Sequence, residues 1–258
     1  MISLPVGEFV IVILIFLRII STFISAPIYG QLVVPILIKI FLSMIVAYII
    51  FLTIDKSNIV VETNIIWLMT NGIKEIITGL IIGFMLNIVF HGISYAGNLI
   101  GYDMQLSMAS SLNPFDATSN NDIGQILFFG IVLIFILING HYYIISALIY
   151  SFSVVHIGKF SISEPAFLLL VKYTGTVFVI AFKIASPIIV SYFLVYLAEG
   201  IMTKVIPQMQ IFFVSQPLII GIGFVLLAGL MPVYVYVMKF LLEDYENKLT
   251  LLIKAMGQ

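Results

Sequence analysis

Long, almost uninterrupted apolar segments are the feature that most constrains how this chain can fold. Six follow one another, at about Phe9 to Ile24, Leu32 to Ile54, Ile65 to Gly101, Ile126 to Ser153, Ala166 to Leu197 and Ile211 to Met238. A helix of about 20 apolar residues crosses the hydrocarbon core of a bilayer, so each segment is long enough or nearly so. Only 9% of the residues are charged, against about 25% in an ordinary soluble domain. The sequence therefore predicts an all-α, polytopic membrane protein of one domain with about six spans.

Three of these segments predict interrupted or distorted helices. A continuous helix from Ile76 to Gly101 would measure roughly 39 Å, which predicts a tilt, a bend at its glycines or a re-entrant hairpin. In the fifth segment a proline follows Ser186, and because proline removes a backbone hydrogen bond we expect two helical pieces that meet near Ser186-Pro187. In the fourth segment the Asn139-Gly140 pair predicts a break.

The longest polar departure from this pattern is Gly97 to Asp122, near the middle of the chain. It contains three acids, no Lys or Arg, and the breaker pair Asn113-Pro114. Irregular polar backbone is tolerated at membrane depth only where protein buries it or water reaches it. A second break, Gly200 to Pro217, is likewise polar and punctuated by proline.

Soft apolar side chains accompany both breaks. Met104, Met108 and Leu112 recur every four residues, and Met209 lies close to Phe212 and Phe213 in the second break. Methionine adapts to variable partners, and apolar constrictions can gate a pore by expelling water. Plain connecting loops are the alternative interpretation of both stretches.

Arg18 is the one arginine of the sequence and lies inside the first apolar segment. A charge there is costly unless it is paired or reaches the interface, so it predicts either a buried ion pair at a subunit contact or an arginine near a helix end. Glu75 follows Lys74 directly, so the two cannot face each other and Glu75 needs a partner on another helix or chain.

Small residues at four-residue spacing indicate close helix approach. Glu75, Gly79 and Gly83 lie on one helical face, and Gly97 with Gly101 forms a second pair of this kind. Packing within the chain and packing against other subunits are both open.

Signals for catalysis are missing from the sequence. The absence of cysteine excludes disulfides and thiolate metal sites, and His91, His141 and His156 have no second ligand at metal-binding spacing. No nucleophile elbow, phosphate-binding loop or dinucleotide fingerprint occurs. We predict no enzyme activity, no catalytic residues, no cofactor and no metal.

The basic residues are scattered along the chain, which predicts no nucleic-acid partner. No basic leader precedes the first apolar segment, so we expect this segment to stay in the mature protein.

An ordered set of motifs at matching spacing then resembles the FliR/SctT family of type III secretion export-gate proteins. In chain order these are Arg18, Ala26-Pro27, Pro35, Glu75, Gly79, Gly83, Gly97, Ile100-Gly101, Met104 to Pro114, Asn139-Gly140-His141, Ala185, Pro187, Lys204, Pro207-Gln208-Met209 and Phe212. The resemblance covers nearly the whole chain.

The resemblance implies a role in an assembly. Residues 1–258 would form a single FliR-like domain, with a FliP-like part at 1–165, a FliQ-like helical hairpin at 166–238 and an amphipathic C-terminal tail at 239–258. The bent hairpins would join FliP-like, FliQ-like and FlhB-like subunits in a helical hetero-oligomeric cone in the flagellar basal body of the bacterial inner membrane. Such cones sit largely above the bilayer plane, and unfolded export substrates would pass through them.

The resemblance also implies roles for individual residues. A loop at about 101–122 would plug the channel, and a second loop would lie at the pore. The residues implied for the plug are Met104, Leu106, Met108, Leu112, Asn113, Pro114 and Phe115, and those for the second loop are Pro207, Gln208, Met209 and Phe212.

Two alternative functions remain open. One is an autonomous ion- or proton-coupled transporter with a relay of Glu75, Asp103 and Glu199, and the other is a membrane scaffold with no pore role.

Overall fold

A computed structural model describes residues 6–27, 34–54, 64–106, 122–161, 163–206 and 211–257, and of residues 211–214 it describes the backbone alone. All regular secondary structure in these ranges is helical, which confirms the predicted all-α fold. The helices are α1 (Val6–Ser25), α2 (Ile36–Thr53), α3 (Ile65–Asp103), α4 (Asp122–Leu137), α5 (Gly140–Val154), α6 (Glu164–Val205) and α7 (Ile211–Met256). Five are long and apolar enough to cross a membrane, or six if α4 and α5 together form one broken span.

The chain forms two compact units, which are interleaved along the sequence. The first comprises Met1–Ile88, Asn139–Thr174 and Glu243–Gln258, and the second comprises Val89–Ile138 and Gly175–Leu242. Helices α3, α6 and α7 each contribute one part to the first unit and another to the second.

The core of the first unit is built on α1, which packs against α2. Ile11, Leu14, Ile15 and Ile19 of α1 are buried, and the steps of three and four residues from Ile11 to Leu14 and Ile15, and of four from Ile15 to Ile19, place them on one helical face. The last turns of α7 belong to the same unit and bury one side only, including Leu249 and Leu252. Helix α7 continues without a break through 239–256, so these residues extend the long helix.

The second unit is held by aromatic packing and by close contact at small residues. Phe90 of α3 lies edge-on to Phe135 of α4, with ring centroids 5.4 Å apart, a preferred aromatic arrangement. Along the same pair of helices Gly97 faces Gly124, and a Cβ at Gly97 would lie 2.5 Å from the Gly124 Cα. The two backbones therefore approach as closely as glycine allows.

Helix α3 is a single helix of 39 residues, so the re-entrant hairpin considered for the third apolar segment is wrong. The predicted break in the fourth segment is present. Asn139 adopts the left-handed conformation, with φ of 60°, between α4 and α5, and asparagine tolerates this region better than most residues.

The predicted division of the fifth segment is wrong, because α6 continues through Pro187. Proline has no N–H to donate to Lys183, four residues earlier. The Ser186 hydroxyl donates to the Lys183 carbonyl oxygen at 3.1 Å and so satisfies the acceptor that the proline leaves open. The residue beside the proline therefore compensates for the missing bond.

The Gly97–Gly124 contact makes a prediction about stability. Gly97→Ala should lower the free energy of unfolding by about 1–3 kcal/mol, because the new methyl group would force the backbones of α3 and α4 apart. Unfolding of the detergent-solubilised protein followed by circular dichroism would measure the effect.

Gly130→Ala on α4 is the matched control, since a Cβ there meets no atom within 4 Å. It should leave stability unchanged or raise it slightly, because alanine favours helix over glycine. Equal stability of the two variants would contradict the close packing described here.

Candidate functional site

A buried ion pair lies at the centre of the first unit. The Arg18 Nε on α1 donates to Oε2 of Glu75 on α3 at 2.6 Å, and both side chains are 0% exposed. The predicted buried ion pair of Arg18 is therefore present, with its partner inside the chain instead of across a subunit contact. The alternative, an arginine near a helix end that reaches the interface, is wrong because Arg18 is fully buried. The partner of Glu75 is on a neighbouring helix of the same chain.

The ion pair also ties down the end of α5. Arg18 Nη1 donates to the carbonyl oxygens of Ser151, at 3.1 Å, and Val155, at 3.0 Å. These carbonyls lie at the C-terminus of α5, where a cation is favourable because it faces the negative end of the helix dipole. The guanidinium also lies 4.1 Å from the ring centroid of Phe152, within cation–π range.

The second carboxylate oxygen of Glu75 fixes the turn that follows α5. Gly158 N–H donates to Glu75 Oε1 at 2.8 Å, and Lys74 Nζ donates to the Gly158 carbonyl oxygen at 3.1 Å. Gly158 has φ of 75°, and a Cβ there would lie 2.8 Å from Asn71 Oδ1. The conformation therefore favours glycine, and any side chain there would also force the Asn71 amide to shift.

Gly79 and Gly83 let α1 and α3 approach closely enough for this pairing. A Cβ at Gly79 would overlap the Arg18 carbonyl oxygen, and one at Gly83 would lie 2.6 Å from the Thr22 carbonyl oxygen. These contacts lie within the chain, and a role of the glycines in packing between subunits stays a prediction. Gly101, from the second glycine pair, is buried in the second unit.

The predicted plug begins where α3 ends. Met104 is fully buried against Gly223 of α7: a Cβ at Gly223 would lie 2.6 Å from Met104 Cε. Leu106 is half-buried. The other plug residues, Met108, Leu112, Asn113, Pro114 and Phe115, lie outside the described residues, as do Pro207, Gln208 and Met209 of the second loop, and of Phe212 only the backbone is described.

The end of α3 is a defined turn. Gln105 is left-handed, with φ of 57°. Its N–H donates to the Tyr102 carbonyl oxygen at 2.9 Å, and the Leu106 N–H donates to the Gly101 carbonyl oxygen at 3.2 Å. This pair of bonds is the Schellman arrangement that ends many helices. The usual residue at the left-handed position is glycine, so a glutamine there must be supported by its surroundings.

The three histidines lie apart from these clusters. His91 and His156 are exposed, and His141 is half-buried beside Tyr142, with ring centroids 4.3 Å apart. Within the part of the chain that the structure describes, His, Cys, Asp and Glu side chains form no group of three that could hold a metal ion.

Sequence reasoning missed several residues of these clusters. The carbonyl groups of Ser151 and Val155 carry no side-chain signal. Nothing in the sequence around Gly158 and Gly223 distinguishes them from the other glycines of the chain. Tyr192 and Tyr196 were findable, because two tyrosines four residues apart on a helix share one face and an apolar setting requires partners for their hydroxyl groups.

The fold and its polar clusters define an all-helical membrane protein whose long helices are joined by buried ionic and backbone contacts. The profile of "Bacterial export proteins, family 1" matches residues 9–245, and the chain belongs to that family. The family resemblance that the sequence motifs indicate is thus confirmed.

Its relatives include flagellar proteins of distant bacteria. The chain is 29% identical over 247 residues to "Flagellar biosynthetic protein FliR" of Bacillus subtilis, which covers 92% of this chain and 94% of the relative. It is 29% identical over 234 residues to the protein of that name in Escherichia coli, covering 90% and 88%. The relative of the same name in Aquifex aeolicus is 27% identical over 241 residues, covering 92% of each.

The buried ion pair makes a second prediction. Arg18→Met should lower the free energy of unfolding by about 3–5 kcal/mol, because it leaves the Glu75 charge buried without its counter-ion. The double variant Arg18→Met/Glu75→Leu should recover much of that loss, since it removes both charges. Denaturant unfolding in detergent measures both.

Lys248→Met is the control, because the Lys248–Asp244 pair lies 2.7 Å apart with side chains 27% and 40% exposed. A pair of this kind contributes under about 1 kcal/mol. A loss in Arg18→Met no larger than in the control would contradict the role given to the ion pair.

Proposed function

We propose that this protein is a subunit of the flagellar type III export apparatus that lines and closes the channel through which unfolded protein subunits leave the cell. The family match across residues 9–245 and the flagellar relatives of nearly equal length support the membership in that apparatus. The proposed location is the bacterial inner membrane, within the flagellar basal body.

The observation that carries the assembly part of this proposal is the length over which apolar side chains are exposed. On α6 they extend from Phe167 to Val205, and on α3 from Ile65 to Tyr102. At 1.5 Å per residue each run is about 56 Å long, against a hydrocarbon core of about 30 Å. A straight helix would have to tilt by about 58° to bury such a run in lipid, well beyond the usual range of about 0–40°.

Lipid alone therefore cannot cover these helices, and other apolar helices are the natural cover. We propose that FliP-like and FliQ-like subunits pack on α3, α6 and α7 in a hetero-oligomeric cone, with an FlhB-like subunit on its cytoplasmic side. Partner helices would bury those parts of the exposed surface that extend beyond the bilayer. Hydropathy in this chain would then reflect burial between subunits as well as contact with lipid.

The channel-closing part of the proposal rests on Gly97 to Asp122. This stretch is the longest polar interruption of the sequence, and α3 ends within it at a turn whose methionine, Met104, is fully buried. Polar backbone that lipid excludes belongs in a water-filled channel or against protein. Met108 and Leu112 would provide the soft apolar surface that seals the channel at rest, and Pro207, Gln208, Met209 and Phe212 a second surface at the pore.

The autonomous transporter is the weaker alternative. Its relay requires Glu75 to exchange protons, but both oxygens of Glu75 are bonded, to Arg18 and to the Gly158 N–H. Both carboxylate oxygens are thus occupied by donors within the chain. Glu75 is therefore poorly suited to serve as a step in a proton relay.

Deletion of Met108 to Asn113 tests the channel-closing function. We expect a higher resting ion permeability of cells that contain the complete apparatus, because the apolar seal is removed, while the complex still assembles. Ion efflux or conductance measures the first property and co-purification the second.

A six-residue deletion at 56–61, in the polar connection between the second and third apolar segments, is the matched control and should leave permeability unchanged. Assembly of the Met108–Asn113 deletion with unchanged permeability would refute the closing role.

The assembly itself makes a separate prediction. Expressed with FliP-like and FliQ-like proteins, the chain should co-purify with them in fixed stoichiometry after detergent extraction, because they cover its apolar helices. Quantitative mass spectrometry of the purified complex measures this ratio. A chain that purifies alone as a stable, transport-active protein would instead support the transporter.

A further inference from the structure

Two tyrosines of α6 surround the end of α3 in the second unit. The Tyr196 hydroxyl donates to the Asp103 carbonyl oxygen at 2.5 Å. The Tyr192 hydroxyl donates to the Ile219 carbonyl oxygen of α7 at 2.7 Å. The two rings lie stacked at 30°, with centroids 6.1 Å apart. One face of α6 therefore contacts both the last residue of α3 and the backbone of α7.

The Tyr196 hydroxyl completes the hydrogen bonding of the helix end. The last four carbonyl groups of a helix lack partners within it. Here the carbonyl oxygen of Ile100 accepts from the Met104 N–H, and those of Gly101 and Tyr102 accept from the turn. The fourth carbonyl oxygen is that of Asp103, and it accepts from the Tyr196 hydroxyl.

The turn also needs support because Gln105 is left-handed. A residue with a Cβ is strained in this conformation, because the Cβ lies too close to the following carbonyl oxygen. The Gln105 Nε2 lies 3.5 Å from the Tyr196 hydroxyl oxygen, so the same phenol contacts both the turn's backbone and its side chain.

Gly223 provides the third support. A Cβ at Gly223 would overlap the Tyr192 hydroxyl and would lie 2.6 Å from Met104 Cε. Met104 and Tyr192 thus share the space left by a missing side chain on α7, and both are fully buried. The glycine lets the residue just before the left-handed turn dock on α7.

We propose that Tyr196, with Tyr192 and Gly223, acts as a positioning site that fixes the turn at Met104–Leu106 and so sets the direction in which the chain leaves α3. Its importance for the channel rests on the function proposed above. The tyrosines act through the backbone of the turn and touch no substrate. Sequence motifs assigned no role to them.

A cysteine reporter tests the proposal, because the natural sequence contains no cysteine. In full-length Leu106→Cys protein, within the co-purified complex, the rate of maleimide labelling reports how often the turn opens. Tyr196→Phe removes one hydroxyl group and should raise that rate roughly two- to tenfold, the change that corresponds to one net hydrogen bond. Tyr236→Phe is the control, since Tyr236 is 74% exposed on α7.

Gly223→Ala tests the docking of Met104 in the same way, against Gly221→Ala, where a Cβ meets no atom within 4 Å. It should also raise labelling at position 106. A rate within twofold of its control in either Tyr196→Phe or Gly223→Ala overturns the role given to that residue.

A second reporter separates positioning from general loosening of the unit. Ala185→Cys places a thiol at a fully buried site of α6, and its labelling should stay slow in every variant. Parallel increases at positions 106 and 185 would overturn the proposal, because they would show that the whole unit had loosened.

Resting ion permeability distinguishes this proposal from the function on which it rests. In one outcome, Tyr196→Phe speeds labelling at position 106, but permeability rises neither in Tyr196→Phe nor in the Met108–Asn113 deletion. This outcome supports the positioning role and refutes channel closure. In the opposite outcome, permeability rises in the Met108–Asn113 deletion, but labelling at position 106 is unchanged in Tyr196→Phe. This outcome supports channel closure and refutes the positioning role.

Discussion

The Arg18–Glu75 ion pair is the interaction on which the first unit depends. Two charges removed from water in an apolar protein are tolerated only if they are paired and their remaining polar atoms are largely satisfied. Glu75 meets this condition through Gly158, and Arg18 does so through the end of α5. The register of α1, α3 and α5 is therefore fixed by electrostatics, and Gly79 makes the necessary closeness possible.

The same requirement explains how the helices are interrupted and ended. At two points where the backbone lacks an internal partner, a nearby hydroxyl group provides one: Ser186 donates to the carbonyl that Pro187 leaves open, and Tyr196 donates to the last carbonyl of α3. In water such groups would be solvated at little cost. In an apolar surrounding an unpaired group costs several kcal/mol, so these two hydroxyl groups stabilise the helices at the points where they donate.

Helix length separates this protein from a simple bundle of membrane spans. Helices α3, α6 and α7 contain 39, 42 and 46 residues, about twice what a bilayer core requires. Counting apolar segments gave six candidate spans, close to the five or six that the structure allows by length and composition. Hydropathy cannot tell lipid contact from burial against a partner, because both favour the same side chains.

The sequence by itself determined that the fold is all-helical, where α4 and α5 separate, and that Arg18 and Glu75 needed partners. These follow from local rules, because apolar periodicity, a left-handed asparagine and a charge in an apolar segment act over a few residues. Only the tertiary structure decided that Arg18 and Glu75 bind each other, that α6 passes through Pro187 and that Tyr196 supports α3. The two ionic partners are 57 residues apart, and Tyr196 is 93 from Asp103. Such pairings depend on how helices dock, and no short sequence pattern encodes that.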